Sequence, residues 1–339
     1  MTFLIAVVML GLIIFVHELG HFLTAKLFKM PVSEFSIGMG PQVFSVDTKN
    51  TAYSFRAIPI GGYVNIEGME VGSEVENGFS SKPAYQRFVV LFAGVFMNFL
   101  MAFILLFAVA KINGRIEYDT NAIIGGLVKG GANEQILKVD DKILELDGKK
   151  INVWTDISKI TKASQNKEEI SALIERNGKE ENITLKLTKD EENNRVVLGI
   201  SPKYKKINLS TIESLDFAKN SFNSIFTDTL KGFFTLFSGK ASLKEISGPV
   251  GIFKVVGEVS KFGWVSIISL CVVLSINIGV LNLLPIPALD GGRILFVLLE
   301  LFGIKVNKKW EEKLHKGGMI LLLFFILMIS VNDVWKLFN

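Results

Sequence analysis

Three ionisable side chains, His17, Glu18 and His21, interrupt a run that is otherwise uncharged from Met1 to Ala25. The two histidines are four residues apart, so on a helix they share one face, one turn apart, with Glu18 beside the first. Neutral imidazole is a good nitrogen ligand for Zn²⁺, and the ion lowers the pKa of a bound water to ~7. A carboxylate next to that water can take its proton and pass it to a leaving amine. The H-E-x-x-H order is that of a hydrolytic zinc site. Five residues of this kind also arise by chance, and a lone intramembrane histidine is often a packing residue. Three ionisable groups in this order within an apolar helix are costly to bury and point to function.

A catalytic zinc site takes three protein ligands and leaves one position open. Two residues are candidates for the third ligand. His315 stands in the Lys-rich stretch "KVNKKWEEKLHK", where a solvated side chain is the ordinary expectation. Asp290 is the better candidate, because it closes the charge-free run 262–289, an expensive place for an unpaired carboxylate that a cation would offset. The same run holds Pro285 and Pro287, which break helix and leave backbone at membrane depth. Such backbone is tolerated only where it is buried in protein or lines a wet cavity.

The elements that must position these groups are apolar. Of 339 residues, 49% are apolar or aromatic and 27 are Phe, and they are concentrated rather than spread out. Charge-free runs cover 1–25 (His17, Glu18 and His21 aside), 88–110, 262–289 and 317–332. A bilayer core of ~30 Å needs about 20 apolar helical residues, so four spans are expected, the last anchored by Trp335 and Lys336. A cleaved signal peptide would need a basic start and a small-residue cleavage site, and "MTFLIAVVMLGLIIFVHELGH" has neither. Lys26 and Lys29 after the first span, and five Lys in "KVNKKWEEKLHK", mark the cytoplasmic side. Both termini and the polar segment after the second span would then face outward. The net charge of +4 is dispersed, so no nucleic-acid partner is expected. Cys271 is the only cysteine and lies in an apolar run, which excludes an intrachain disulfide and suggests packing.

The outer segment reads as a small α+β domain. "DKILELDGKKINVW" and "SALIERNGKEENITLKL" are strand–turn–strand patterns around Asp-Gly and Asn-Gly, and "WTDISKITKAS" between them has helical spacing of Ile157, Ile160 and Ala163. Between Arg115 and Lys203, 15 basic and 16 acidic residues make a nearly neutral surface. Residues 204–245 carry Phe217, Phe222, Phe226, Phe233, Phe234 and Phe237 in a polar setting. This suits an amphipathic helix at the membrane surface, or else a helix packed on the outer domain. In "TAYSFRAIPIGGYV", Tyr53, Phe55 and Ala57 alternate on one face and Gly61-Gly62 suggests a turn. An exposed strand edge there could add an extended peptide.

"HELGH" in the first span and "NLLPIPALDGG" in a late one resemble the site-2 protease family of intramembrane zinc metalloproteases, in its bacterial regulator-of-sigma-E protease-like branch. "PIGGYV" at 59–64, "AGVFMN" at 93–98 and "GPVGI" at 248–252 extend the resemblance over nearly the whole chain. The resemblance implies a polytopic α-helical membrane protein with four transmembrane helices. It adds a membrane-associated β-loop and one extracytoplasmic PDZ-like domain. It implies His17, His21 and Asp290 as ligands of Zn²⁺ and Glu18 as general base. Asn282 would contact the substrate peptide or help stabilise the tetrahedral intermediate, with Gly61, Gly62, Tyr63, Pro285 and Pro287 around the unwound peptide. The expected divisions are 1–112, 113–203 (PDZ-like), 204–261 (amphipathic surface segment) and 262–339. The expected location is the bacterial cytoplasmic (inner) membrane, with the site nearer the cytoplasmic side. Expected substrates are single-pass membrane proteins, an anti-sigma factor among them, or remnant signal peptides, first trimmed by a site-1-type protease. Val139-Asp140-Asp141 departs from the usual Lys-x-Gly-Asp, and Val95 stands where the family has proline. A catalytically inactive PDZ adaptor and a zinc transporter are the alternatives. The intact Glu18 argues against the first, and the lack of further intramembrane ligands argues against the second.

Overall fold

The computed structural model describes residues 2–69, 75–118, 121–128, 130–190, 195–239, 248–304 and 307–338. Lys305 of the Lys-rich loop and the side chain of Lys336 lie outside that description. The chain forms two compact units, one of residues 1–110 with 211–339 and one of 111–210.

The first unit begins with α1 (Thr2–Leu27), the strands β1 (Val32–Asp47) and β2 (Ala52–Ile66), and α2 (Ala84–Asn113). It resumes with α4 (Thr211–Phe237), α5 (Pro249–Ser260), α6 (Trp264–Leu283), α7 (Asp290–Leu301) and α8 (Lys308–Phe338). Among the described residues, four helices are long and apolar enough to cross a membrane: α1, α2, α6 and the stretch Lys309–Asp333 of α8. Lipid offers backbone groups no partners, so an unbroken apolar run satisfies its own N–H and C=O groups as a helix.

Helices in lipid associate by close packing, which favours small residues where they meet. A Cβ on Gly20 would fall 2.3 Å from the Ala93 carbonyl oxygen, so α1 and α2 touch backbone to backbone. Gly279 of α6 leaves similar room for the Phe99 ring. Phe222, Phe226 and Phe233 of α4 pack with Ala102, Leu106, Val272 and Ile276 of α2 and α6. Thr229 Oγ1 donates to Asn277 Oδ1 at 2.6 Å. Much of the phenylalanine face that suggested a surface helix is therefore spent on protein contacts, while Phe234 stays exposed. Buried Asp333, near the end of α8, accepts the Gly251 N–H at 2.8 Å and so satisfies a free donor in the first turn of α5.

In the β-loop the chain reverses at 48–51, where Thr48 and Thr51 exchange hydrogen bonds. It reverses again inside β2 ahead of Gly62, since 52–55 run parallel to 34–37 whereas 62–66 run antiparallel to 32–37. Gly61, with φ +92°, stands at this second reversal, as the Gly-Gly pair suggested, and a Cβ on Gly62 would sit 2.6 Å from the Ser36 carbonyl oxygen. The first half of β1 consequently has β2 on both sides: Phe35 pairs with Val64 and with Tyr53, and Ser36 with Tyr63 and with Ser54. A core of Ala25, Met30, Val32, Ile66, Val90 and Leu91, joined by Ile294 and Val297, ties the ends of α1, β2, α2 and α7 together. Each fully buried aliphatic there contributes about 1.5–3 kcal/mol where water is the alternative.

The second unit holds β3 (Arg115–Tyr118), β4 (Ile124–Leu127), β5 (Lys142–Leu146), β6 (Lys149–Lys150), α3 (Trp154–Ala163), β7 (Glu169–Arg176) and β8 (Lys179–Lys186). It continues with β9 (Thr188–Asp190), β10 (Arg195–Val197), β11 (Ile200–Pro202) and β12 (Tyr204–Ile207). The main sheet runs β6-β5-β7-β8, and β3 pairs with β12, β4 with β11 and β9 with β10. Asp147-Gly148 and Asn177-Gly178 all have positive φ, the conformation that tight two-residue hairpin turns require. Asp140 also takes φ +75°, where glycine is usual, and buried Asp141 accepts from Arg176 Nε at 2.8 Å and Nη2 at 2.6 Å. A cleft of about 550 Å³ runs between α3 and residues 196–200.

Candidate metal centre

α1 presents His17 and His21, and α7 starts on Asp290. One donor atom from each lies within 4.8 Å of the others. His17 Nε2 is 3.0 Å and His21 Nε2 is 3.2 Å from Asp290 Oδ2, and the two Nε2 atoms are 3.1 Å apart. Corners of a zinc tetrahedron with bonds of about 2.05 Å are roughly 3.3 Å apart, so three corners are nearly in place. Two imidazole nitrogens and a carboxylate oxygen form a donor set that fits Zn²⁺. Both histidines are buried.

The surroundings orient the rings. His21 Nδ1 lies 2.8 Å from the Val90 carbonyl oxygen. A carbonyl only accepts, so His21 carries its proton on Nδ1 and turns the Nε2 lone pair to the site. His17 Nδ1 faces the side-chain amide of Asn98 of α2 at 3.3 Å. Asn98 is fully buried, and its Oδ1 has no hydrogen-bond partner. Gly94, one turn earlier on α2, makes room for the rings: a Cβ there would meet His21 Nε2 at 2.4 Å and His17 Cε1 at 2.8 Å.

Glu18 is half-buried, and its Oε2 accepts the Val64 N–H at 3.1 Å, which ties it to β2. Gly61, Gly62 and Tyr63 immediately precede that contact on the same strand. Tyr63 and Ser54 donate to Glu34, and Arg56 pairs with the same carboxylate at 2.7 Å. Burial works to raise the Glu34 carboxyl, but the hydrogen bonds from Ser54, Tyr63 and Arg56 outweigh it and hold the group below the usual carboxylate range.

Asp290 follows an irregular stretch. α6 ends at Leu283 with Asn282 in its last turn, and residues 284–289, with Pro285 and Pro287, lead to α7. Gly291 and Gly292 let this stretch fold tightly on itself, since Cβ atoms there would fall 2.1 Å from the Leu284 oxygen and 2.5 Å from the Ile286 oxygen. Ala288 takes φ +86°, an uncommon conformation for a residue with a side chain. Its N–H donates to His315 Nδ1 at 3.2 Å.

That contact corrects the expectation that His315 is solvated. His315 is buried within α8, while its Lys-rich neighbours Lys313 and Lys316 are exposed. The cause is helical geometry, which turns His315 and Gly318 together toward the proline stretch, where a Cβ on Gly318 would fall 2.4 Å from Pro287 Cβ. Asn98, Gly94 and the Val90 carbonyl were also missed as parts of the site. Asn98 did leave a signal, being the only polar side chain between Arg87 and Lys111.

Residues 5–325 match the profile of Peptidase family M50. A Fusobacterium nucleatum protein named as a zinc metalloprotease is 92% identical over 339 residues, covering 100% of both chains. A Clostridium acetobutylicum protein of similar name is 34% identical, over 97% of this chain and 96% of its own. Regulator of sigma-W protease RasP of Bacillus subtilis is 27% identical, over 99% of each chain. Among solved structures, the PDZ domain of an SdrC-like protein from Listeria monocytogenes matches 26% of this chain and 92% of its own, at 17% identity and a TM-score of 0.23.

Proposed function

The chain belongs to peptidase family M50, the site-2 protease family of zinc metalloproteases, and from that premise we propose that it cuts single-pass membrane proteins or remnant signal peptides within the membrane. The observation that carries this reading is the meeting of His17, His21 and Asp290, with both histidines on a helix able to cross a bilayer. These three residues are the zinc ligands and Glu18 is the general base. Zinc held by His17, His21 and Asp290 would lower the pKa of a bound water to about 7 and supply a Lewis acid for the scissile carbonyl. Glu18 takes the proton of the attacking water as the new O–C bond forms. It delivers that proton to the amine nitrogen as the C–N bond breaks. Val64 N–H holds one oxygen of Glu18 and limits its rotation.

A helical substrate must unwind before hydrolysis, because its carbonyls are occupied and shielded. Residues 62–66 of β2 pair with β1, while the Val64 N–H turns to Glu18. An extended peptide added along this edge, past Gly61, Gly62 and Tyr63, is brought to the base. Asn282, Pro285 and Pro287, in the chain leading to Asp290, contact the same peptide. The Lys pattern of the short loops supports an inner-membrane protein with both termini and the 111–210 unit, a PDZ-like domain, outside. The name of the RasP relative, a regulator of sigma-W protease, supports a role in regulated proteolysis. An anti-sigma factor as substrate and a prior cut by another protease are the further parts of this proposal.

The test is co-expression with a single-pass reporter, comparing wild type, Glu18→Gln and Asp290→Asn, with bound zinc measured by elemental analysis. Wild type is expected to cut the reporter and both variants to lose cleavage, Glu18→Gln retaining zinc and Asp290→Asn losing it. Equal cleavage by wild type and Glu18→Gln would sink the mechanism, and unchanged zinc in Asp290→Asn would remove Asp290 as a ligand.

A further inference from the structure

We propose that Asn98 is a positioning residue for the metal centre: its side-chain Oδ1 accepts the Nδ1 proton of His17 and so sets the tautomer in which His17 can bind zinc through Nε2. The inference rests on the reading of His17 as a ligand. His17 Nε2 faces Asp290 and His21 Nε2, so it is the nitrogen that must offer a lone pair. Neutral imidazole then carries its proton on Nδ1, which needs an acceptor. For His21 that acceptor is the Val90 carbonyl. The amide of Asn98 is placed to serve His17, at 3.3 Å from Nδ1.

The amide lies with Nδ2 toward His17 and leaves the fully buried Oδ1 without a partner. In that orientation Nδ2 donates to Nδ1, and the ring proton moves to Nε2, 3.0 Å from Asp290 Oδ2. This is a consistent arrangement without metal, but it occupies the lone pair that zinc needs. Rotating the terminal amide by half a turn exchanges oxygen and nitrogen with no change in shape. Oδ1 then accepts Nδ1–H, and Nε2 is free. The backbone around Asn98 is fixed independently, because Ser275 Oγ donates to its main-chain oxygen at 2.9 Å. Asn98 therefore couples zinc loading to a single side-chain rotation.

Zinc affinity of the purified full chain, measured by chelator competition, tests this with Asn98→Leu and Asn98→Asp. Asn98→Leu keeps the volume but removes the acceptor, and a loss of roughly 10–100-fold in affinity is expected. Asn98→Asp keeps an acceptor toward Nδ1 and is expected to stay near wild type. Wild-type affinity in Asn98→Leu, or equal loss in both variants, overturns the proposal. A measurement without substitution accompanies these: ¹⁵N-histidine spectra of the zinc-loaded wild type should show His17 protonated at Nδ1. Zinc bound through Nδ1 with a proton on Nε2 overturns it. Failure of the wild type to bind zinc at all counts against the metal-site reading itself, a separable result.

Discussion

A Cβ at residue 94 would enter the space of both imidazoles, 2.4 Å from His21 Nε2. Gly94→Ala is therefore expected to weaken zinc binding by roughly 10–100-fold, the range seen when the partners that orient metal ligands are disturbed. Zinc content after purification checks it. A wild-type zinc content in Gly94→Ala would mean that α2 can retreat from α1. At this scale, legibility depended on chemistry carried by a side chain. His17, Glu18, His21 and Asp290 announce themselves, because ionisable groups in apolar runs are costly. Gly94 contributes an absent side chain and Val90 a backbone carbonyl, and neither has a residue-type signature.

α8 acts at the scale of an element. Its His315 and Gly318, one helical turn apart, clamp the stretch that ends in Asp290. His315→Ala leaves the Ala288 N–H without its partner, at a cost on the order of 1–3 kcal/mol. The outcome expected is a less firmly held Asp290 and weaker zinc binding, partly restored in His315→Asn, whose side-chain oxygen can accept the same N–H. Chelator competition measures both, and unchanged affinity in His315→Ala would show that the glycines alone hold the turn. His315 was misread because lysines flank it, whereas exposure on a helix alternates with the turn and not with the local composition. Gly61-Gly62 was legible as a turn, because glycine takes the positive φ that Gly61 has there, but only strand pairing decided that 62–66 return alongside β1. The Asp-Gly and Asn-Gly turns of the second unit were legible, since two-residue hairpins depend only on local φ.

For the whole molecule, all of His17, His21, Asp290, Glu18 and Asn98 belong to the unit of residues 1–110 and 211–339. Zinc that binds only the folded state stabilises it by about 2.7 kcal/mol at 100 times its Kd. Removing zinc should therefore lower amide protection in α1, α2 and α6 and leave β5, β7 and β8 unchanged. Hydrogen exchange of the full chain with and without chelator reads this directly. Equal loss of protection in both units would contradict it. The four apolar helices, the hairpins of the second unit and the candidates for the metal-binding side chains were legible in the sequence alone. Each depends on local rules: run length against bilayer thickness, turn chemistry and the cost of burying charge. Only the tertiary structure decided that Asp290 meets His17 across 273 residues of chain, and that Asn98, Val90 and His315 hold the parts in place. Sequence spacing encodes which residues share a helix face. Which faces meet is decided by packing among elements far apart in the chain.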